Sequence, residues 1–322
     1  MTAFILKRLL QLIPLLLGIS FLTFALINLI PTSPLTSEQI NPRMRASDLV
    51  RIKENLGLNE PWPKRYVIWL GKFARGDLGL SLTNYTPVRD RIFGVLPNTI
   101  LLSACAFFLA LFVSVPLGVF SAIKRNSWFD NVTTMSTVAS FAIPTIWLSF
   151  LLLILFAVKF DDWGLPALPI GRMAETRGGG GFLDRLEHLI LPTISLALVQ
   201  LAAWTRYIRS SMLEVIRQDY VRTARAKGLR AQAVHFGHAF RNALLPLVTL
   251  MGLSLPDLFA GAIVVESIFA WNGMGLLALN ATRNNDYTLI MGITVMFAVL
   301  TIFGNLLADI GYALLDPRIR YD

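Results

Sequence analysis

Cysteine, histidine and charge are all scarce in this chain. Cys105 is the single cysteine among 322 residues. No disulfide can form within the chain, and a small core residue is the default reading of that thiol. The three histidines are His188, His235 and His238. His235 and His238 share a helical pattern, but a metal centre needs a third and usually a fourth ligand. His188 falls in a segment expected on the opposite side of a membrane, so no metal site is expected. No Gly-x-x-x-x-Gly-Lys-[Ser/Thr] loop cradles a phosphate, which excludes ATP hydrolysis by that route. A Gly-x-Ser-x-Gly elbow and a paired-histidine zinc motif are also missing, so hydrolase readings fail and no catalytic residue is expected. Charged residues make up 15% of the chain, against about 25% in a soluble domain.

What fills the deficit is apolar sequence, 55% of the chain, with its long runs at Leu9–Ile30, Ile100–Ile123, Val132–Val158, Leu189–Tyr207, Leu245–Val265 and Leu289–Tyr312. Each is close to the roughly 20 residues that cross the hydrocarbon of a bilayer as a helix. Lipid offers the backbone no hydrogen-bond partner, so such runs must be helices. The alternative, buried helices of a large soluble protein, does not suit six runs of this length. Lys7 and Arg8 before the first run resemble a charged leader. The apolar stretch behind them is too long for one and lacks a small-x-small cleavage site, so a retained helix is expected.

The short loops set the orientation. With the N-terminus in the cytoplasm, the inner segments carry 14 Lys and Arg against 5 Asp and Glu. The outer segments carry 15 against 13. The long 31–99 loop is largely exempt from the positive-inside rule, so Lys124, Arg125 and the basic 208–244 segment decide for both termini inside. The net charge of +9 is then mainly a topology signal. No base-stacking or groove-reading motif accompanies it, and no nucleic-acid partner is expected.

The fold class is thus an all-α integral membrane protein with six spans. Residues 1–30 form the first helix, 31–99 an outer cap loop and 100–322 a five-helix core. Ser47 before Asp48–Leu56, with Gly57 after, predicts a short capped helix. Pro61-Trp62-Pro63 breaks the chain. Tyr66, Val67, Trp69, Leu70 and Phe73 then predict an amphipathic helix, and Gly76–Gly79 a turn. Gly178–Gly181 predicts a flexible excursion. In the 208–244 segment, Leu213, Ile216, Tyr220 and Ala224 predict one apolar face of a helix over 212–228. Arg217, Arg222 and Arg225 lie off that face, and Gly228 ends the helix. A second helix starts at Arg230 and carries Phe236 and Phe240 four residues apart. A surface helix lying on lipid headgroups is the bland reading of this segment.

The residues Asp219-Tyr220-Val221-Arg222-Thr223-Ala224-Arg225-Ala226-Lys227-Gly228-Leu229, followed by Arg241–Pro246, resemble the coupling segment of bacterial binding-protein-dependent ABC importer permeases. The resemblance is narrower still to the dipeptide, oligopeptide and nickel permeases. Arg222-Thr223-Ala224 stands where the general pattern has Glu-Ala-Ala, and Leu-Pro lies further from the glycine, as in that subfamily. Lys7–Leu10, Gly76–Gly79, Leu191-Pro192, Val265–Trp271 with Gly273 and Gly275, and Ala313–Arg320 are similar again, in order along nearly the whole chain. The resemblance implies a multi-pass permease of the bacterial inner membrane in contact with lipid. Its implied partners are a second homologous permease, two cytoplasmic ATP-binding subunits and an extracytoplasmic solute-binding protein. ATP and Mg would be bound by those partners, with no cofactor in this chain. Tyr220, Arg222, Thr223, Ala224, Arg225, Ala226, Lys227 and Gly228 are the expected coupling residues, Ala224 and Gly228 being small enough for close approach to an ATPase groove. The 48–75 region is expected to dock the binding protein or to cap the outer mouth.

Pro256 and Asp257 lie inside the fifth run. A carboxylate there costs about 2.5–3.5 kcal/mol on insertion scales, so it should face protein or water. Pro256, Asp257 and, nine residues on, Glu266 at the outer mouth are the expected translocation-path residues. A partner for a neighbouring helix is the plain reading of Asp257, as of Asp309. Short peptides are the expected cargo, with nickel or a metal chelate as the alternative. A secondary transporter would favour inverted repeats and several midplane charges, neither of which is evident; a membrane-embedded assembly or sensor subunit is the rival outside transport.

Overall fold

The computed structural model describes residues 2–29, 60–174 and 180–315, with side chains at 1–9 and 307–315, and at scattered positions between 12 and 261, left aside. The helices are α1 (Thr2–Leu29), α2 (Trp62–Phe73), α3 (Val88–Ile123), α4 (Trp128–Ala142), α5 (Thr145–Leu153), α6 (Phe182–Val215), α7 (Asp219–Ala226), α8 (Phe240–Ile268), α9 (Met274–Arg283) and α10 (Tyr287–Leu315). Two π-helical stretches, Ile154–Lys159 and Ala233–Ala239, follow α5 and precede α8. The described residues include no strand beyond a lone bridge between Leu80 and Pro87. Within the described residues each of the six apolar runs falls on helical backbone, the third with a break at Ile143 and Pro144. By length and composition, three helices among the described residues can cross a membrane: Val88–Ile123, Phe182–Val215 and Tyr287–Leu306. The expected helix at 48–56 lies outside the described residues.

The third run is not one straight span. It falls on two helical stretches, Trp128–Ala142 and Thr145–Asp162, which begin before it and end after it and meet at 108°. Ile143 is extended at φ −84° and ψ 124° because the ring of Pro144 disfavours a helical backbone in the residue before it. If the bent pair is one crossing, the crossings among the described residues number four.

The chain divides into two compact units. The first comprises residues 1–97 and 276–302. In it α2 is the expected amphipathic helix, started by Pro61 and Pro63, which supply no backbone donor where none is needed. Its Tyr66 ring meets Phe21 and Phe24 of α1 at 5.4 and 5.5 Å, and Arg65 donates to Asn28 at 2.9 Å. The turn at Gly76–Gly79 is present, with φ of +79° and +81° at its two glycines. The loop beyond it is fastened by Asp286, which is fully buried. That carboxylate accepts from Ser81 Oγ, from Leu82 N at 3.0 Å and from Leu289 N at 3.1 Å, with Arg91 Nη1 at 3.8 Å.

The second unit comprises residues 98–275 and 303–322. Its centre is α6, which packs along α4, α5 and α8. Trp204, Ile208 and Met212 of α6 are buried in one cluster with Leu102, Leu247 and Phe269. Phe107 meets the Trp204 ring edge-on at 5.3 Å. Gly118 lets α3 lie directly on α6, since a Cβ there would overlap Ile208 and the Thr205 carbonyl.

A polar knot closes the α3–α4 corner. Ser127 caps α4 by accepting from Asp130 N at 3.3 Å. The Asp130 side chain accepts from Ser121 Oγ, from Asn126 N at 2.9 Å, and from Arg209 through Nε at 2.6 Å and Nη2 at 2.8 Å. The forked guanidinium matches the carboxylate geometry and holds its pKa well below the usual carboxylate range, helped by Ser121 and Asn126 against the cost of burial. A depressed carboxyl pKa stabilises the fold above the unfolded value of about 4. That contribution disappears as pH falls towards the folded value. Asp130→Asn therefore lowers unfolding free energy by about 3 kcal/mol near neutral pH. The deficit stays level from about pH 6 to 8 and shrinks below about pH 4. Thermal unfolding in detergent measures it, and a wild-type midpoint for Asp130→Asn at neutral pH would contradict it.

Candidate functional site: the α7 segment and its supports

α7 is short, and its ends are matched to its dipole, with Asp219 in the first turn and Arg225 in the last. It ends as the sequence predicts. Gly228 stands at φ +74°, a conformation that costs glycine little and other residues more, and its N–H returns to Arg225 O at 2.9 Å. The helix predicted over 212–228 is not continuous. α6 stops at Val215, and Gln218 is extended at ψ 149° before α7 begins.

That reset changes which side chains face inward. Val221 and Ala224 are buried in the core cluster of α6 and α8. Ala224 is thus turned towards its own chain, not outward as the small-residue argument expected. Tyr220, assigned to the apolar face, is exposed, and its hydroxyl accepts from Asn242 Nδ2 at 2.9 Å. At 100° per residue, Arg222, Thr223 and Ala226 fall opposite the buried pair, and all three are exposed. Arg225, Lys227 and Gly228 are exposed too. Arg222 leans on Asp219 at 3.4 Å, and Thr223 Oγ1 donates to Asp219 O at 3.0 Å. The outward side of α7 is therefore polar, cationic and small in the middle. Beside it, a cleft of about 560 Å³ is lined by Arg125, Ser210, Leu213, Glu214, Arg217, Gln218 and Asp219.

The π-helical stretch behind α7 continues directly into α8, and Ser211 Oγ ties α6 to Ala243 O at 3.0 Å. Phe236 meets Phe240 and Phe120 at 6.3 Å each. Burial, and then the Arg225 charge, lower the pKa of His235. Among the described residues no three His, Cys, Asp or Glu side chains gather as a metal would require.

Pro256 and Asp257 lie on the α8 backbone, but their side chains fall outside the described residues. Glu266 is described, and its surroundings differ from an open mouth. It is fully buried. Its carboxylate accepts from Thr99 Oγ1 at 2.7 Å and from Gly275 N at 2.7 Å. Thr99 Oγ1 in turn accepts from Met274 N at 2.7 Å. A Cβ at Gly273 would overlap this carboxylate, and one at Gly275 would strike the Ile263 backbone. The glycines of that motif are thus room for a buried acid and for the start of α9.

Sequence reasoning missed the partners of Asp130, Glu266 and Asp286. Ser127-x-x-Asp130 was a legible helix-start signature. Nothing local marked Arg209, Thr99 or Ser81 as the distant halves. Thr99→Val keeps the shape but leaves Glu266 and Met274 N one partner short, a loss of about 1–3 kcal/mol. Gly273→Ala should lower the melting midpoint in detergent likewise. Gly94→Ala, where a Cβ meets nothing within 4 Å, should not. Equal midpoints for all three variants would remove Glu266 as a structural pin.

Comparison with known proteins places the chain in a family. Residues 114–321 match the model described as "Binding-protein-dependent transport system inner membrane component", and residues 1–103 match its N-terminal companion. The chain is 42% identical over 322 residues to the oligopeptide transport system permease protein AppB of Bacillus subtilis, covering 100% of both. It is 39% identical to the di/tripeptide transport system permease protein DppB of Pseudomonas aeruginosa, covering 100% of this chain and 99% of that one. It is 36% identical to the dipeptide transport system permease protein DppB of Escherichia coli, with the same coverage. A solved structure, the crystal structure of an amino acid ABC transporter with histidines, shares its fold at a TM-score of 0.50 and 15% identity, over 69% of this chain and 92% of that one. The chain belongs to the binding-protein-dependent transport system inner-membrane component family.

Proposed function

We propose that the chain is the transmembrane permease subunit of an ATP-driven importer that carries short peptides handed over by a solute-binding protein. The observation that carries this reading is the end-to-end likeness to permeases named for oligopeptides, di/tripeptides and dipeptides. Nickel, the alternative kept open by the sequence, gains nothing from those names. The chain is a multi-pass inner-membrane protein, and six spans with both termini inside fit its loop charges.

The working parts follow. A second, homologous permease completes the passage. Two ATP-binding subunits bind ATP and Mg and do the hydrolysis. The 31–99 loop receives the binding protein from outside. α7 is the coupler: Val221 and Ala224 fix it to the core, and Arg222, Thr223 and Ala226 enter a groove on the ATPase, a helix-in-groove contact. Gly228 lets the chain leave that groove sharply. Asp257 faces the passage and favours a cationic group such as a peptide's amino terminus, while Glu266 braces the end of α8.

Three measurements test this in proteoliposomes holding the permease pair, the ATPases and the binding protein. ATP-dependent uptake of di- to oligopeptides is expected, and its absence for all of them removes the peptide reading. Ala226→Trp and Gly228→Pro should leave the permease folded but release the ATPases and stop uptake. Normal uptake by both variants would show that α7 is not the coupler. Asp257→Asn should slow uptake of peptides with a free amino terminus more than of amino-blocked ones. An equal effect on both would remove Asp257 from the passage.

A further inference from the structure

We infer that the Asp130–Arg209 pair is a positioning strut that carries displacement of α7 to the α3–α4 corner, and so to the bent third span. This rests on the coupling role proposed for α7. The strut begins on α6, the helix that leads into α7. Arg209 sits ten residues before Asp219, and α6 continues unbroken to Val215. The other end is the corner itself. Asp130 lies in the first turn of α4, bound at once to the end of α3 through Ser121 and to the turn through Asn126 N. Asn126 holds a left-handed backbone at φ +61°, which is uncommon for a residue with a side chain. The Asp130 carboxylate touches three elements and is 1% exposed.

Two features make this a transmitting link. The contact is bidentate, at 2.6 and 2.8 Å. A planar fork on a carboxylate fixes direction as well as distance, which a point charge or an apolar contact does not. The pair also stands beside open space. Ser210, next to Arg209, and Arg125, next to Asn126, both line the cleft of about 560 Å³ that runs down to Gln218 and Asp219. Arg125 of the corner and Ser210 to Asp219 on the α6 side line the same cleft, and the pair bridges those two sides. Beyond the corner, α4 leads to the 108° bend at Ile143 and Pro144. Replacing a buried pair by packed apolar residues is often neutral or stabilising, so stability alone does not account for an ion pair here.

The test uses the whole complex in proteoliposomes, and reads ATPase retention, ATP hydrolysis and peptide imported per ATP. Arg209→Lys keeps the charge and loses the fork; Asp130→Asn keeps the shape and loses the charge. Both should retain the ATPase subunits and hydrolyse ATP. Peptide imported per ATP should fall about fivefold or more, the lower end of ordinary coupling free energies. The exchange Asp130→Arg with Arg209→Asp should recover part of it. Wild-type import per ATP in Arg209→Lys overturns the strut, and so does loss of assembly in Asp130→Asn alongside normal coupling in Arg209→Lys. Failure of the α7 reading looks different, because then Ala226→Trp keeps its ATPases and its uptake.

Discussion

A peptide group inside hydrocarbon has no water to bond, and this one constraint organises the chain. Helices meet it along their length. They fail at their ends, where the first N–H and last C=O groups lack partners. In the described residues the buried acids sit at those ends. Asp130 receives Asn126 N where α3 gives way to α4, Glu266 receives Gly275 N where α8 gives way to α9, and Asp286 receives Leu289 N as α10 begins. Each anion also draws a hydroxyl from another segment: Ser121 on the adjoining helix, and Thr99 and Ser81 far away in sequence. A buried charge is tolerated when it is paired or saturated with donors. Here that requirement joins elements that apolar packing alone would leave free to slide.

Much of the helical framework was legible because apolar runs of membrane length have one structural outcome. α2 was legible from its aromatic spacing, and the end of α7 from Gly228. What escaped had two causes. Pro144 was visible, but composition weighs an apolar run as a whole and does not register one extended residue in its middle. The break at Gln218 had no local signal of that strength. Across it the core takes Val221 beside Ala224, in place of the Tyr220 predicted from the 3.6-residue period. The distant halves of the buried pairs, 79 residues apart for Asp130 and Arg209 and 205 for Ser81 and Asp286, carry no local mark at all.

On the coupling role proposed for α7, its docking surface is small and anchored. An eight-residue helix is marginal in water by itself. α7 is ordered because Val221 and Ala224 are buried and because Gln218 and Gly228 set its two ends. Its backbone therefore loses little freedom on docking, which favours binding without new contacts. Ala224 has a structural reason to be small that does not depend on a partner. A bulkier side chain there would lift the helix from its core, and the docking face with it.

The same economy explains the placement of charge. Force applied to α7 can be absorbed by bending or carried onward, and which happens depends on the stiffness of what α6 touches. Packed side chains resist compression but slide along one another; Gly118 against Ile208 is such a contact. A guanidinium forked onto a carboxylate resists sliding, because displacement along either axis breaks one of two short hydrogen bonds. α3 and the α3–α4 corner make both kinds of contact with α6, at the consecutive residues Ile208 and Arg209. One keeps the helices together, and the other keeps them in register. If the corner turns with α6, as the proposed strut requires, it needs the second as much as the first.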